Sequence, residues 1–223
     1  MRLNQWLARA GAAASRRKAD EIIQEGRVLV NGRLPELGLQ IVPSDTVTVD
    51  GQVQALKPVS SQVLLINKPT GLVSSHKGQG GDKTVFSLLP PEYSDWKIIG
   101  RLDKDSEGLT VLSNDGDIVQ AFGHPSAGHQ KQYRVWLDRK LTQGDEWQLT
   151  SGVRLEEGVS KFERLQTGRD YIDVWLITGW NRQVRRTLES LGYRVNRLQR
   201  VELGPYRLGD LAVGEWRLEE AQR

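Results

Sequence analysis

Apolar residues recur along this chain at two periods, and the change from one to the other outlines its organisation. Leu3, Trp6, Leu7 and Ala10 fall at i, i+3, i+4 and i+7, which predicts an amphipathic helix. Ser15 stands where an N-cap would open a second helix, with Ala19, Ile22 and Ile23 facing inward and Gly26 ending it. Val28 to Val30 before Asn31-Gly32 reads as a hairpin, and Val47 and Val49 before Asp50-Gly51 as a short strand and turn. Residues 55–61 carry one Pro, two Ser and no period, and read as a linker. The pattern therefore divides the chain into a small domain over 1–54 and a large one over 62–223.

In the large domain, period two dominates. Strands are predicted at Val63 to Asn67, at Ile98-Ile99, at Leu109 to Leu112, and over Lys131 to Asp138 with Tyr133, Val135 and Leu137 on one face. Two more are predicted at Phe162 to Thr167 and Tyr171 to Thr178, while Asp117 to Phe122 and Thr142 to Leu149 read as helices. Lys68 to Gly71 reads as a turn, and Thr84 as the cap of a short helix running to Leu89 and ended by Pro90-Pro91. Gly78 to Thr84 imitates a phosphate loop but has Asp82 where the second Gly belongs, so it reads as a mobile surface loop. Many strands with few intervening helices predict an α+β protein built on a mainly antiparallel mixed sheet.

Composition narrows the chemistry. Net charge is only +3, so a nucleic-acid site has to come from local clusters of Arg and Lys. There is no Cys, which removes thiolate nucleophiles and Cys-type metal sites, and His76, His124 and His129 show no ligand spacing. No apolar run reaches membrane-span or signal-peptide length, so a cytoplasmic protein is expected.

Two clusters remain as candidates. Arg16, Arg17 and Lys18 crowd the first turn of the second helix, against the positive end of its dipole at a cost of about 0.3–1 kcal/mol. They are either simply solvated or kept for an anionic partner. Residues 181–207 hold seven arginines against two glutamates. A helix from Asn181 to Leu191 would bury Val184, Leu188 and Leu191 and group Arg182, Arg185, Arg186 and Glu189 on another side. Arg, unlike Lys, contacts phosphate and carboxylate bidentately, which favours RNA-backbone binding with one Arg turned inward to a carboxylate. That carboxylate is sought in Gly100-Arg101-Leu102-Asp103-Lys104-Asp105-Ser106-Glu107-Gly108-Leu109, an exposed connection between two strands.

This decapeptide resembles the active-site signature of pseudouridine synthases of the RsuA, RluB, RluE and RluF branch, which act on ribosomal RNA. Asn67 to Gly71, Lys131 to Val135 and Asn181 to Arg186 agree with the family in order, and residues 1–54 resemble an S4 RNA-binding domain. The resemblance covers nearly the whole chain. It implies the pseudouridine synthase fold, a monomer acting on structured ribosomal RNA, and an isomerisation that needs no cofactor or metal. It makes Asp103 the essential carboxylate, Tyr133 the residue that stacks on the extruded base, and Arg185 the partner of Asp103. Arg101, Lys131, Arg182 and Arg186, with Arg16, Arg17 and Lys18, would contact RNA. Trp180 stands where the family commonly has Arg, and Thr187 where it has Met or a similar apolar residue. The alternatives are a non-catalytic RNA-binding or ribosome-assembly factor and an N-glycoside hydrolase using Asp103 with Asp105.

Overall fold

The computed structural model describes residues 1–56, 60–78, 80–123 and 128–222. Residues 57–59 of the expected linker, Gln79 of the glycine-rich stretch and His124 lie outside them. The chain forms two compact units, Met1–Val59 and Ser60–Arg223.

In the first unit, α1 (Leu3–Ala10) buries Leu3, Leu7 and Ala10, as the period requires. The Ser15 hydroxyl accepts the Lys18 N–H at 3.2 Å and opens α2 (Arg16–Gln24), which buries Ala19 and Ile23. Three short strands follow: β1 (Val28–Val30), β2 (Val47–Val49) and β3 (Gln52–Val53), in the order β1-β2-β3. Asp50 and Gly51 take φ of 50° and 77° and make the predicted turn between β2 and β3. Asn31-Gly32 behaves differently: it closes only a Val30–Arg33 bridge, and β1 pairs with β2 instead. Pro35 cannot donate to a ladder, and the Asn31 side chain is taken by Asp45 and the Thr46 N–H, at 2.8 and 2.9 Å.

The second unit is built on a mixed sheet. Its elements are β4 (Gln62–Lys68), two 3-10 turns (Val85–Leu88, Pro91–Tyr93), β5 (Lys97–Ile99), β6 (Glu107–Ser113), α3 (Gly116–Gly123), β7 (Lys131–Leu137) and α4 (Gln143–Ser151). Then come β8 (Val153–Leu155), β9 (Gly158–Ser160), β10 (Arg164–Thr167), β11 (Ile172–Leu176), α5 (Gln183–Glu189), β12 (Val195–Leu203), β13 (Tyr206–Arg207) and β14 (Trp216–Glu220). The strand path is β10-β11-β7-β12-β6-β4-β14, with β5 on β6 and β13 on β12, while β8 and β9 form a separate hairpin. Only β12 and β6 run parallel among the described pairs.

One core lies between β7, β11 and β12 and the residues Leu149, Val184 and Leu188 of α4 and α5. A second joins Val63, Leu65, Leu109 and Val111 to Ile118 and Phe122 of α3. Leu64, Ile66 and Leu112 bury the opposite face under Val85, which explains why β4 is an unbroken apolar run.

Several local expectations change. Thr84 makes no side-chain cap, and the turn after it is 3-10. The stretch read as a mobile loop is tied down by Val73 N–H to Lys83 O and Val85 N–H to Val73 O, both 3.0 Å, and by Lys104 to Asp82 at 2.7 Å. The helix expected from Asn181 to Leu191 shortens to α5, because Arg182 is its N-cap in the left-handed region at φ 50°.

Where β12 meets β6, Arg200 faces Gly108. Gly108 has φ +97°, and a Cβ there would stand 2.3 Å from the Arg200 carbonyl oxygen. Gly71 has φ +88° with nothing within 4 Å of such a Cβ. Gly108→Ala should therefore lower stability by about 3 kcal/mol, and Gly71→Ala by only about 1. Thermal melts test this, and equal losses would show that the close approach is not what requires glycine.

Candidate active site

The site is organised by the connection between β5 and β6, residues 100–106, and by what holds it. Arg200 on β12 is 1% exposed. Its Nη2 donates to Gly100 O at 2.7 Å, its Nη1 to Arg101 O at 3.4 Å and its Nε to Leu109 O at 2.8 Å. One guanidinium thus joins the two ends of the loop. Between them, the Ser74 hydroxyl accepts from Leu102 N–H and donates to Leu102 O, at 3.2 and 2.8 Å, and Gly71 N–H meets Lys104 O at 2.7 Å. Ser106 N–H closes a turn onto Asp103 O at 3.1 Å.

That turn separates the two carboxylates. Asp105 faces α5, where Arg182 Nη1 lies 2.9 Å from each of its oxygens and Arg185 Nε lies 3.4 Å from one. Arg185 also donates to Asp105 O at 3.0 Å and to Val195 O at 3.1 Å. The expected pairing of Arg185 with Asp103 is therefore not what the structure has: Arg185 is buried and held by Asp105. Nor do Arg182, Arg185 and Arg186 share one open face. Arg182 is occupied by Asp105, and Arg186 by Glu157 at 2.6 Å on the turn between β8 and β9.

Asp103 is half-buried, and its carboxylate has no hydrogen bond or ion pair among the described residues. It lines a cavity of about 580 Å³ together with Tyr133, Arg101, Lys131, Trp180 and Arg200. Tyr133 sits on β7 opposite Arg200 of β12. Lys131 Nζ donates to His129 O and Ile177 O at 3.0 and 2.9 Å, and burial, with Arg200 beside it, holds its pKa below the usual range. Arg101 is exposed on the rim. Arg16 and Arg17 are exposed on α2 in the other unit, where Lys18 pairs with Glu21.

Sequence reasoning missed two residues here. Arg200 is one of the seven arginines of 181–207, and its residue type and spacing give it no role of its own. Lys68, read as part of a turn, is fully buried, with Nζ on Pro69 O and Leu72 O at 3.0 and 2.9 Å. Burial pushes its pKa down to about 8, partly offset by the Asp105 and Asp103 carboxylates. A charged group inside an apolar strand end was the available signal.

A family model for RNA pseudouridylate synthases matches residues 62–190, and an S4 domain model matches residues 1–47. The chain belongs to the RNA pseudouridylate synthase family. The dual-specificity RNA pseudouridine synthase RluF of Escherichia coli (strain K12) is 34% identical over 220 residues, covering 97% of this chain and 74% of that protein. The ribosomal large subunit pseudouridine synthase B of Xylella fastidiosa (strain Temecula1 / ATCC 700964) is 36% identical over 218 residues, covering 91% of this chain and 45% of the relative. A solved pseudouridylate synthase superposes with a TM-score of 0.69 at 25% identity, covering 98% of this chain and 96% of its own.

Within this pseudouridylate synthase the two departures have local explanations. Thr187 is buried, its hydroxyl 2.7 Å from that of Ser160 and donating to Gln183 O at 2.8 Å. Gln183 in turn donates to Ser160 and accepts the Trp180 N–H, at 3.0 and 3.1 Å. Trp180 packs over Gly158, where a Cβ would lie 3.4 Å from the indole.

Lys68 gives a pH dependence. Its folded pKa of about 8 lies below the ordinary 10.5, so between the two the unfolded chain binds more protons. Stability should rise as pH climbs through that window, and the cost of the buried ammonium is fully present below it. Denaturant titrations should show wild type gaining up to about 3 kcal/mol relative to Lys68→Met from about pH 7 to above pH 10. A difference that stays flat would contradict the buried charge.

Proposed function

We propose that this chain converts a uridine of ribosomal RNA to pseudouridine. The C1′–N1 bond breaks, the base turns, C5 bonds to C1′, the C5 hydrogen leaves as a proton, and N1 gains one. Asp103 is the reacting carboxylate, as nucleophile or as base. Tyr133 stacks on the uracil after it leaves its helix, worth about 1–3 kcal/mol. Arg185 acts on the loop through Asp105 and is a positioning residue. Arg101, Lys131 and Arg182 meet the RNA at the cavity, and Arg186, with Arg16, Arg17 and Lys18 of the small unit, contacts it as well. The same reading has a monomer working in the cytoplasm, and no helix among the described residues is long and apolar enough to cross a membrane.

The observation that carries this reading is the Asp103 carboxylate, unpaired among the described residues, on the wall it shares with Tyr133, in a loop held by Arg200 on one side and by Arg182 and Arg185 at Asp105 on the other. A hydrolase pairing Asp103 with Asp105 is disfavoured, since Asp105 is engaged by Arg182 and Arg185 and does not line the cavity that Asp103 shares with Tyr133.

Transcribed ribosomal RNA carrying tritium at C5 of uridine decides the matter. Wild type should release tritium to water without freeing uracil. Asp103→Asn should lose at least about 10³-fold in turnover while binding RNA within about threefold of wild type. An active Asp103→Asn would overturn the assignment, and free uracil would support hydrolysis instead.

A further inference from the structure

Asp103 and Arg101 line more than one cavity. Across the motif loop from Tyr133 lies a second, of about 300 Å³, whose walls include Ser74, Ser75, Lys77, Asp82, Lys104 and Asn181. We propose that it is a subsite for the ribose-phosphate of the nucleotide next to the target uridine, with Lys77 as the phosphate contact. The inference rests on the placement of the reacting uridine at Asp103.

A strand that puts one nucleotide into the larger cavity continues through the neighbouring phosphates, and the second cavity shares Arg101, Leu102, Asp103 and Asn181 with the first. Among the described residues no aromatic ring lines it, so they offer a base no stacking platform; they offer hydroxyls, an amide and cations, which suit ribose and phosphate. Lys104 is neutralised by Asp82 at 2.7 Å. Lys77 and Arg101 have no carboxylate partner among the described residues. Counting Lys77, Arg101 and Lys104 against Asp82 and Asp103, the lining keeps one positive charge in excess.

The wall is built closely. Ser75 Oγ donates to Lys77 O at 2.6 Å, and a Cβ on Gly78 would fall 1.9 Å from Asp82 O. The segment bearing Lys77 is therefore packed against the segment bearing Asp82. Lys77 itself is exposed, so replacing it disturbs no core.

The test uses the full chain and transcribed ribosomal RNA tritiated at C5 of uridine, with kcat and KM measured over a range of salt. Lys77→Gln should raise KM about 5–20-fold and leave kcat within about twofold, the loss of one charged contact to phosphate. The slope of log(kcat/KM) against log salt should become shallower by about one, because one fewer counterion is released, and Lys77→Arg should restore it. An unchanged KM and slope in Lys77→Gln, or a fall in kcat at constant KM, would overturn the subsite. If wild type released no tritium, the catalytic reading would have failed. The subsite would then be judged by equilibrium binding of the same RNA to wild type and Lys77→Gln, where equal salt slopes would reject it.

Discussion

The site depends on one buried guanidinium. Arg200 stands in the middle of the sheet, on the strand that runs parallel to β6, and gives its donors to the carbonyls at both ends of the motif loop. A buried cation is costly unless hydrogen-bonded, and a buried carbonyl is costly unless it receives a donor. Each offsets the other here, so strand pairing and loop shape are coupled. The glycines that bracket the loop belong to the same arrangement. A Cβ at Gly108 would collide with the Arg200 backbone, and one at Gly100, where φ is +62°, would touch its guanidinium at 3.5 Å.

From that anchor the roles of the two carboxylates follow. A single turn sends Asp105 to α5 and Asp103 to the cavity. Asp105 takes the two arginines, which fixes the loop from the other side and leaves the Asp103 carboxylate with no partner among the described residues. Lys68 and Arg185 are buried behind the same loop, and together with Arg200 they bias the region toward holding negative charge. The cavity lining carries Arg101, Lys131, Arg182 and Arg200 against Asp103, a balance that suits the anionic substrate proposed for it.

Much of this was legible in the residues. The helix of Leu3, Leu7 and Ala10, the Ser15 cap, the apolar run of β4 and the loop between Ile99 and Leu109 all follow from period and turn chemistry. Strand β12 was not legible, because register shifts between Val195 and Arg197 and between Arg200 and Glu202 break its alternation, and because three of its nine residues are charged. The direction of Arg185 was also hidden: helical spacing groups it with Arg182 and Arg186, but α5 is covered on that side as well. The choice between Asp103 and Asp105 as its partner depends on a turn bonded from Ser106 to Asp103, which residue type does not reveal. Lys68 went unnoticed because lysine beside proline reads as a surface turn.

The most direct test of the account is amide hydrogen exchange over Leu102 to Ser106 in Arg200→Lys, measured alongside tritium release from C5-labelled ribosomal RNA. Lysine keeps the charge but cannot reach three carbonyls at once. The account predicts that β4 and β7 stay protected, that exchange in the loop rises at least about tenfold, and that turnover falls by a similar factor. An Arg200→Lys protein with wild-type loop protection and wild-type turnover would contradict it.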